Sequence, residues 1–161
     1  MSKTILAYVT RYGATTETAK EIARVLKENF NIDVDLVDIK ATKNLDIGPY
    51  DNVILGVSVA KFRWAKEGKK FLKNDFSGKR LFVFVSSGTA GEAYQRKDFA
   101  EYEKIQTKYI DKVLRKHKLQ YTSRKALGGR FVGAFSKRGD NRDWDVIRGW
   151  AKEIGKIISE G

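Results

Sequence analysis

Two short, wholly apolar runs constrain the fold of this chain more than any other feature of its sequence. Residues 53–57 read VILGV and residues 81–85 read LFVFV. Apolar runs of this length, without polar residues at alternate positions, are typical of strands that are buried on both faces. A third run, TILAYV at residues 4–9, is rich in β-branched and aromatic residues and predicts a first strand. The sequence therefore favours a sheet that helices cover on both sides.

Helical patterns separate these predicted strands. Residues 19–30 carry apolar side chains at spacings of three and four, and residues 99–118 and 143–159 show a similar periodicity. A shorter helix is predicted to end near Asn74. Each helical pattern has one apolar stripe, which predicts a helix that packs one face on the sheet.

Two more strands complete the predicted domain. Residues 34–39 alternate apolar and acidic residues, as expected of an edge strand, and residues 126–135 form a glycine-containing fifth strand. Strands that alternate with helices predict a single α/β domain over residues 1–161, with an open, doubly wound, largely parallel sheet and right-handed crossovers. Ligands of such sheets bind at the carboxyl ends of the strands.

The first strand leads into VTRYGATTETA, residues 9–19, which contains one glycine and four threonines. A loop between a strand end and a helix N-terminus presents amide N–H groups and the positive end of the helix dipole to an anion. Threonine hydroxyls add donors, and Gly13 lets the backbone approach a ligand closely. We therefore interpret this stretch as a phosphate-binding loop. The alternative is a plain turn, in which glycine turns the chain and threonine caps the helix.

Several common chemistries are excluded. The motif G-x-x-x-x-G-K-[ST] is absent, and one glycine cannot supply G-x-G-x-x-G, so nucleoside-triphosphate and dinucleotide sites are disfavoured. Without cysteine the chain has no disulfide, thiolate nucleophile or iron–sulfur cluster, so redox chemistry would require an organic cofactor. The only histidine, His117, lies at a predicted helix end, and we assign it no chemistry. No metal site is predicted.

Charge is distributed unevenly along the chain. Residues 1–60 hold 7 Lys and Arg against 8 Asp and Glu, whereas residues 61–161 hold 25 against 12. The basic half favours an acidic protein, an anionic membrane surface, nucleic acid or an anionic small substrate, and a merely solvated surface is the alternative. No apolar run is long enough to span a membrane, and the first residues lack a signal-peptide pattern, so a cytoplasmic location is predicted.

The first loop reads T-x-x-G-x-T at Thr10, Gly13 and Thr15. This spacing resembles the phosphate loop of the flavodoxins, [ST]-x-[TS]-G-x-[TS], with Tyr12 where that family usually has a small hydroxyl residue. The resemblance implies a flavodoxin-like sandwich with a five-stranded parallel sheet in the order 2-1-3-4-5. It also implies flavin mononucleotide (FMN) as the cofactor.

Two further loops contain residues suited to the isoalloxazine ring of FMN. Residues 58–64 offer backbone donors and two aromatic rings, and residues 86–94 offer small residues and a tyrosine. The alternatives are that the aromatic residues belong to the core and that residues 86–94 form a plain turn. The residues predicted to bind the cofactor are Thr10, Arg11, Tyr12, Gly13, Ala14, Thr15, Ser58, Val59, Ala60, Lys61, Phe62, Trp64, Ser86, Ser87, Gly88, Thr89, Ala90, Gly91 and Tyr94.

Residues 49–72, 128–135 and 143–154 resemble the flavodoxin-domain subgroup that contains the bacterial menaquinone-dependent protoporphyrinogen IX dehydrogenase. The resemblance implies an FMN-dependent oxidoreductase with a porphyrinogen or quinone substrate, and possible contact with an anionic membrane. That enzyme has a long insertion before its last helix, where this chain has only residues 136–142. The alternative is a flavodoxin-type electron carrier that serves a redox partner protein and has no small-molecule substrate. A binding module without flavin is a third class, and no specific nucleic acid is predicted.

Overall fold

Five long parallel strands and one short antiparallel strand form the sheet. A computed structural model describes residues 2–130 and 139–161. The strands are β1 Thr4–Val9, β2 Val34–Asp38, β3 Asn52–Ala60, β4 Arg63–Trp64, β5 Arg80–Ser86 and β6 Ser123–Leu127. The parallel strands lie in the spatial order β2-β1-β3-β5-β6, and β4 pairs with the end of β3. Counted along the five parallel strands, the predicted order 2-1-3-4-5 is confirmed.

Helices cover both faces of this sheet. They are α1 Ala14–Phe30, α2 Lys66–Phe71, α3 Gly88–Gln95, α4 Phe99–Gln106, α5 Lys112–Lys116 and α6 Trp144–Glu160. A short 3₁₀ turn, Ile39–Ala41, follows β2, and a π-helical turn, Thr107–Asp111, joins α4 to α5. None of the helices in the described ranges is both long and apolar enough to cross a membrane.

The core has two halves, one on each face of the sheet. Because successive strand residues point to opposite faces, β1, β3 and β5 supply side chains to both halves. One half, packed against α1 and α6, contains Leu6, Ile54, Phe82, Phe84, Ile22, Leu26, Trp150 and Ile154. The other, packed against the remaining helices, contains Ile5, Val53, Leu55, Val83, Phe71, Tyr102, Tyr109 and Ile110. The apolar runs at residues 53–57 and 81–85 are therefore buried on both faces, as predicted.

The last strand begins earlier than predicted. It covers Ser123–Leu127, so the predicted start at residue 126 is wrong, and Gly128 and Gly129 follow the strand. Its charged residues make this strand look polar in the sequence. One of them, Arg124, pairs with Glu103 at 2.6 Å and with Asp111 at 3.0 Å. Residues 131–135, the second half of the predicted strand, lie outside the described residues.

Glu21 joins α1 to α6 through its carboxylate. It accepts hydrogen bonds from Arg24 of its own helix at 2.5 Å and from Arg148 of α6 at 2.7 Å. These bonds, with Arg24 the larger contributor, lower the pKa of Glu21 from 4.5 to about 2. Because the folded-state pKa lies below the unfolded one, this stabilisation is complete above about pH 4.5. It is lost as the pH falls towards 2.

Replacement of Glu21 by glutamine should remove this pH dependence. We expect Glu21→Gln to lower the free energy of unfolding by about 1 kcal/mol at pH 7, because the paired carboxylate is partly screened by solvent. At pH 2.5 the difference between variant and parent should be much smaller, since the carboxylate of the unfolded parent is then protonated and must lose its proton on folding. Urea unfolding at both pH values measures the difference in free energy of unfolding between variant and parent. A difference that is equal at both would contradict the assignment.

Candidate functional site

The loops that follow β1, β3 and β5 meet in one pocket at the carboxyl edge of the sheet. Across this pocket the Thr15 hydroxyl donates to the Ser86 hydroxyl oxygen at 3.0 Å, which joins the first loop to the end of β5. The pocket is lined by Thr10, Tyr12, Ala14, Thr15, Ser58, Val59, Ser86, Gly88, Gly129 and Arg130. The structure thus brings the three predicted loops together and adds a fourth segment, the residues after β6.

The first loop is shaped by Thr10 and Gly13. Gly13 precedes α1 with a φ of 87°, a left-handed conformation that other residues adopt only with strain. Its amide donates to the Thr10 hydroxyl oxygen at 2.8 Å, which closes the turn. No side chain in the described ranges caps α1, so the amides of its first turn remain without a side-chain acceptor. This is the arrangement that helix N-termini use to bind an anion.

Cations surround this loop. Lys40 donates to the Thr10 carbonyl oxygen at 2.8 Å, and Arg142, with only 3% of its side chain exposed, donates to the Ala14 carbonyl oxygen at 3.4 Å. Glu17, in the first turn of α1, pairs with Arg142 at 3.2 Å and with Arg130 at 2.7 Å. The acid next to the loop is thus bound by two guanidinium groups, and the electrostatic environment suits an anionic ligand.

Arg130 was missed by the sequence analysis. Its Nη2 lies 3.0 Å from where a Cβ of Gly13 would be and donates to the Tyr12 carbonyl oxygen at 3.4 Å. In the sequence analysis Arg130 lay inside the predicted strand 126–135, whereas the strand ends at Leu127 and Arg130 follows it, at the same edge as the other loops. Its long side chain, however, gave no indication of direction.

The second loop is a tight hairpin between β3 and β4. Lys61 and Phe62 form its tip with φ values of 51° and 64°, and the Phe62 side chain is 71% exposed. Two consecutive left-handed residues are typical of a two-residue hairpin turn, but glycine or asparagine normally occupies these positions. Arg11 holds the hairpin by donating to the carbonyl oxygens of Ala60 at 2.9 Å and of Trp64 at 3.0 Å.

Trp64 belongs to the core and not to the pocket. Only 3% of the residue is exposed, and its indole N–H donates to the Tyr109 carbonyl oxygen at 2.6 Å. Trp64 is thus a core residue, as the alternative held, and it does not belong to the described lining of the pocket. Phe62 is the ring of the hairpin that remains accessible, and the Lys108 ammonium lies 5.4 Å from its centre.

The third loop is shorter than predicted, because α3 already begins at Gly88. The Ser87 hydroxyl oxygen caps this helix by accepting from the Ala90 amide at 3.3 Å, and it lies 3.1 Å from the Thr89 hydroxyl. Ala90, Gly91 and Tyr94 are therefore helical, and the structure does not place them in the lining of the pocket. The ring of Tyr94 packs edge-on against Phe99 and Tyr102, and its contact with the cofactor stays a prediction.

Asn141 holds the third loop against the end of β6. Its side-chain amide donates to the Gly88 carbonyl oxygen at 2.8 Å and accepts from the Gly129 amide at 3.0 Å. A Cβ on Gly91 would lie 2.3 Å from the Asn141 side chain, so glycine is required there for packing. This glycine therefore has a structural role, and sequence reasoning had assigned it to the ligand.

Two buried polar atoms of the pocket show what kind of ligand it suits. Ser58 is only 7% exposed, and its hydroxyl has no hydrogen-bond partner within the described part of the chain. The same holds, among residues 2–130 and 139–161, for the buried Nε of Arg130. Buried polar groups normally have partners, so these two donors are available to an acceptor that the described residues do not supply. Both line the pocket, and a ligand with phosphate and carbonyl oxygens fits them.

The sequence and the fold were compared with known proteins. Residues 5–136 match the family described as Flavodoxin domain. No curated protein matches the sequence significantly. Among solved structures, flavodoxin 1 from Bacillus cereus is 19% identical with a TM-score of 0.65, and 96% of this chain and 98% of that one are covered. A flavodoxin from the domain Archaea is also 19% identical, with a TM-score of 0.61 and coverage of 98% and 96%. The Streptococcus pneumonia TIGR4 flavodoxin is 16% identical, with a TM-score of 0.62 and coverage of 96% and 99%.

Proposed function

This chain belongs to the flavodoxin-domain family and takes FMN as its cofactor; from that premise we propose that it is an electron carrier that serves protein partners. FMN supplies reversible transfer of one or two electrons. The residues of the chain bind it, orient it and set its electrostatic surroundings. The observation that carries the proposal is the composition of the pocket, whose described lining contains neither a carboxylate nor an imidazole.

The first loop would hold the phosphate of FMN. The amides at the start of α1 are available to an acceptor, and the Thr10 and Thr15 hydroxyls lie in the same lining. Ser58, whose hydroxyl has no partner among the described residues, would donate to the cofactor from the end of β3. Val59 and the accessible ring of Phe62 would supply apolar contact.

A carrier needs no proton-transferring group of its own beside a substrate, and the described lining of the pocket contains no carboxylate and no imidazole. Glu17, the acid beside it, is paired with Arg130 and Arg142. The chain and the compared flavodoxins cover each other almost completely. The basic residues after position 60 would attract an acidic protein partner in the cytoplasm, and an anionic membrane surface also suits this charge.

A second candidate is oxidation of a porphyrinogen with a quinone as acceptor. The hairpin tip favours it, because the Phe62 ring is 71% exposed between Lys61 and Arg63, which are both exposed. An apolar ring between two cations would suit a flat substrate that bears carboxylates.

One set of assays separates the two candidates. We expect the purified protein to quench FMN fluorescence on binding and, once reduced, to pass electrons to a small acidic iron–sulfur protein. That rate should fall as the ionic strength rises, because the attraction is screened within about 10 Å at 0.1 M salt. Protoporphyrinogen with menaquinone should show no turnover above the rate with FMN alone. Steady turnover would overturn the carrier proposal in favour of the second candidate, and failure to bind FMN would overturn both.

A further inference from the structure

We propose that Arg130 binds the phosphate of FMN and that it exchanges its ion pair with Glu17 for the phosphate oxygens. The inference rests on the proposed FMN site. It goes beyond that site because the loop motif needs only amides and hydroxyls, whereas this chain adds a guanidinium from a different segment. Arg130 is thus a phosphate-binding residue that the loop sequence itself does not contain.

The position of the guanidinium supports this assignment. Nη2 lies against the first loop, 3.0 Å from the Cβ position of Gly13, and it donates only a long hydrogen bond of 3.4 Å to the Tyr12 carbonyl oxygen. Nε is buried and has no partner in the described ranges. Arginine donates parallel hydrogen bonds to phosphate from one edge of its planar guanidinium. An edge directed at the loop therefore matches a phosphate monoester dianion.

Backbone contacts hold the main chain at Arg130, so the position of its Cα and Cβ is defined. Arg130 pairs with Asp140 in an antiparallel bridge, and the Asn141 amide donates to the Gly129 carbonyl oxygen at 3.1 Å. Asn141 in turn holds the start of α3. The guanidinium can therefore change its partner without movement of the chain that carries it.

The present partner of the guanidinium is weakly held. The ion pair of Arg130 with Glu17 has side chains that are 34% and 43% exposed, and ion pairs with that exposure contribute little to stability. Glu17 would retain Arg142, which is bound to it at 3.2 Å, after Arg130 had moved. A phosphate dianion in the loop carries more charge than a carboxylate and offers more acceptor oxygens.

Paired titrations with FMN and riboflavin test the proposal, because riboflavin has the same ring but no phosphate. We expect Arg130→Gln to weaken FMN binding by about tenfold to a hundredfold, as for a lost charge-assisted hydrogen bond. Riboflavin affinity should stay within about twofold of the parent, since no ring contact is removed. The FMN affinity of Arg130→Lys should lie between those of Arg130→Gln and the parent, because lysine keeps the charge and lacks the planar guanidinium. Quenching of flavin fluorescence gives each dissociation constant.

Arg148→Gln is the matched control. Arg148 pairs with Glu21, one turn further along α1, in the same way as Arg130 pairs with Glu17, but it does not line the pocket. This variant should bind FMN like the parent. Circular dichroism of both variants should match the parent spectrum. Equal FMN affinity for Arg130→Gln and the parent, or equal losses of FMN and riboflavin affinity, would overturn the assignment of Arg130 while leaving the FMN site intact.

The exchange with Glu17 is tested separately. Glu17→Gln should tighten FMN binding by about two- to fivefold, because it removes the competing carboxylate. That gain should disappear in the double variant Glu17→Gln/Arg130→Gln. A gain of equal size in both backgrounds would mean that Glu17 acts by repulsion alone and would overturn the exchange. A parent that binds riboflavin and FMN equally would overturn the phosphate site itself, and with it this inference.

Discussion

Replacement of Gly13 by valine is expected to weaken FMN binding severely while the chain stays folded. Valine at a φ of 87° is strained by about 1–3 kcal/mol, and its Cβ would lie 3.0 Å from the Arg130 guanidinium. The loop would relax by turning its amides away from the phosphate. Because several charge-assisted hydrogen bonds are lost together, FMN affinity should fall by about a hundredfold or more. Fluorescence titration measures the loss, and the purified variant should be colourless.

Gly78→Val provides the matched control. Gly78 has a φ of 74°, and a Cβ there would meet nothing within 4 Å in the described structure. The backbone strain is therefore similar, but the position lies between α2 and β5, away from the pocket. Gly78→Val should lose comparable stability and keep the parent's FMN affinity. If Gly13→Val also keeps it, the first loop is not the phosphate site.

The second large effect is expected at Gly56, in the middle of β3. A Cβ there would lie 2.1 Å from Cζ of Phe84 on the neighbouring strand, and that ring is fully buried and packs edge-on against Trp150 at 5.8 Å. Neither the strand nor the ring has space to move in a close-packed core. Gly56→Ala should therefore lower the free energy of unfolding by about 3 kcal/mol. Chemical denaturation followed by circular dichroism measures the change.

A double variant identifies the cause. Phe84→Leu alone removes volume and should cost about 1–3 kcal/mol, but in Gly56→Ala it also makes room for the new methyl group. The double variant should therefore be more stable than the sum of the single changes predicts, by at least about 1 kcal/mol. Gly149→Ala on α6, where a Cβ meets nothing within 4 Å among the described atoms, should instead be stabilising by about 0.5–1 kcal/mol. Simple additivity at Gly56 and Phe84 would contradict the steric explanation.

The sheet and the first loop could be predicted from local sequence because burial and turn chemistry leave a local signature. Strands buried on both faces must be apolar throughout, and residues 53–57 and 81–85 satisfy that requirement. A glycine with threonines on both sides of it in the sequence predicted a turn before the first helix, and Gly13 takes a left-handed conformation there. The meeting of the three loops followed from the parallel order of the strands, which periodicity and family resemblance both implied.

Long side chains and edge strands explain what could not be predicted. Arg130 lies 117 positions after Gly13, and its direction depends on the tertiary contacts of the segment that follows β6. Trp64 looked like a ligand-binding ring because a sequence does not show which side of a hairpin faces the core. Arg124 made β6 look polar although its guanidinium is bound by Glu103 and Asp111. In each case the deciding contact is distant in sequence.

The two hydrogen bonds of Arg11 to the hairpin have a consequence for cooperativity. The guanidinium joins the loop at the start of α1 to both strands of the hairpin, at Ala60 and Trp64. A ligand that orders the loop therefore also restricts the hairpin. The conformational entropy of both segments is lost when either part of the ligand binds, and it is not lost again when the other part binds. The phosphate and ring portions of one nucleotide should accordingly show a positive coupling free energy, with an affinity for the intact molecule that exceeds what its separated halves would predict.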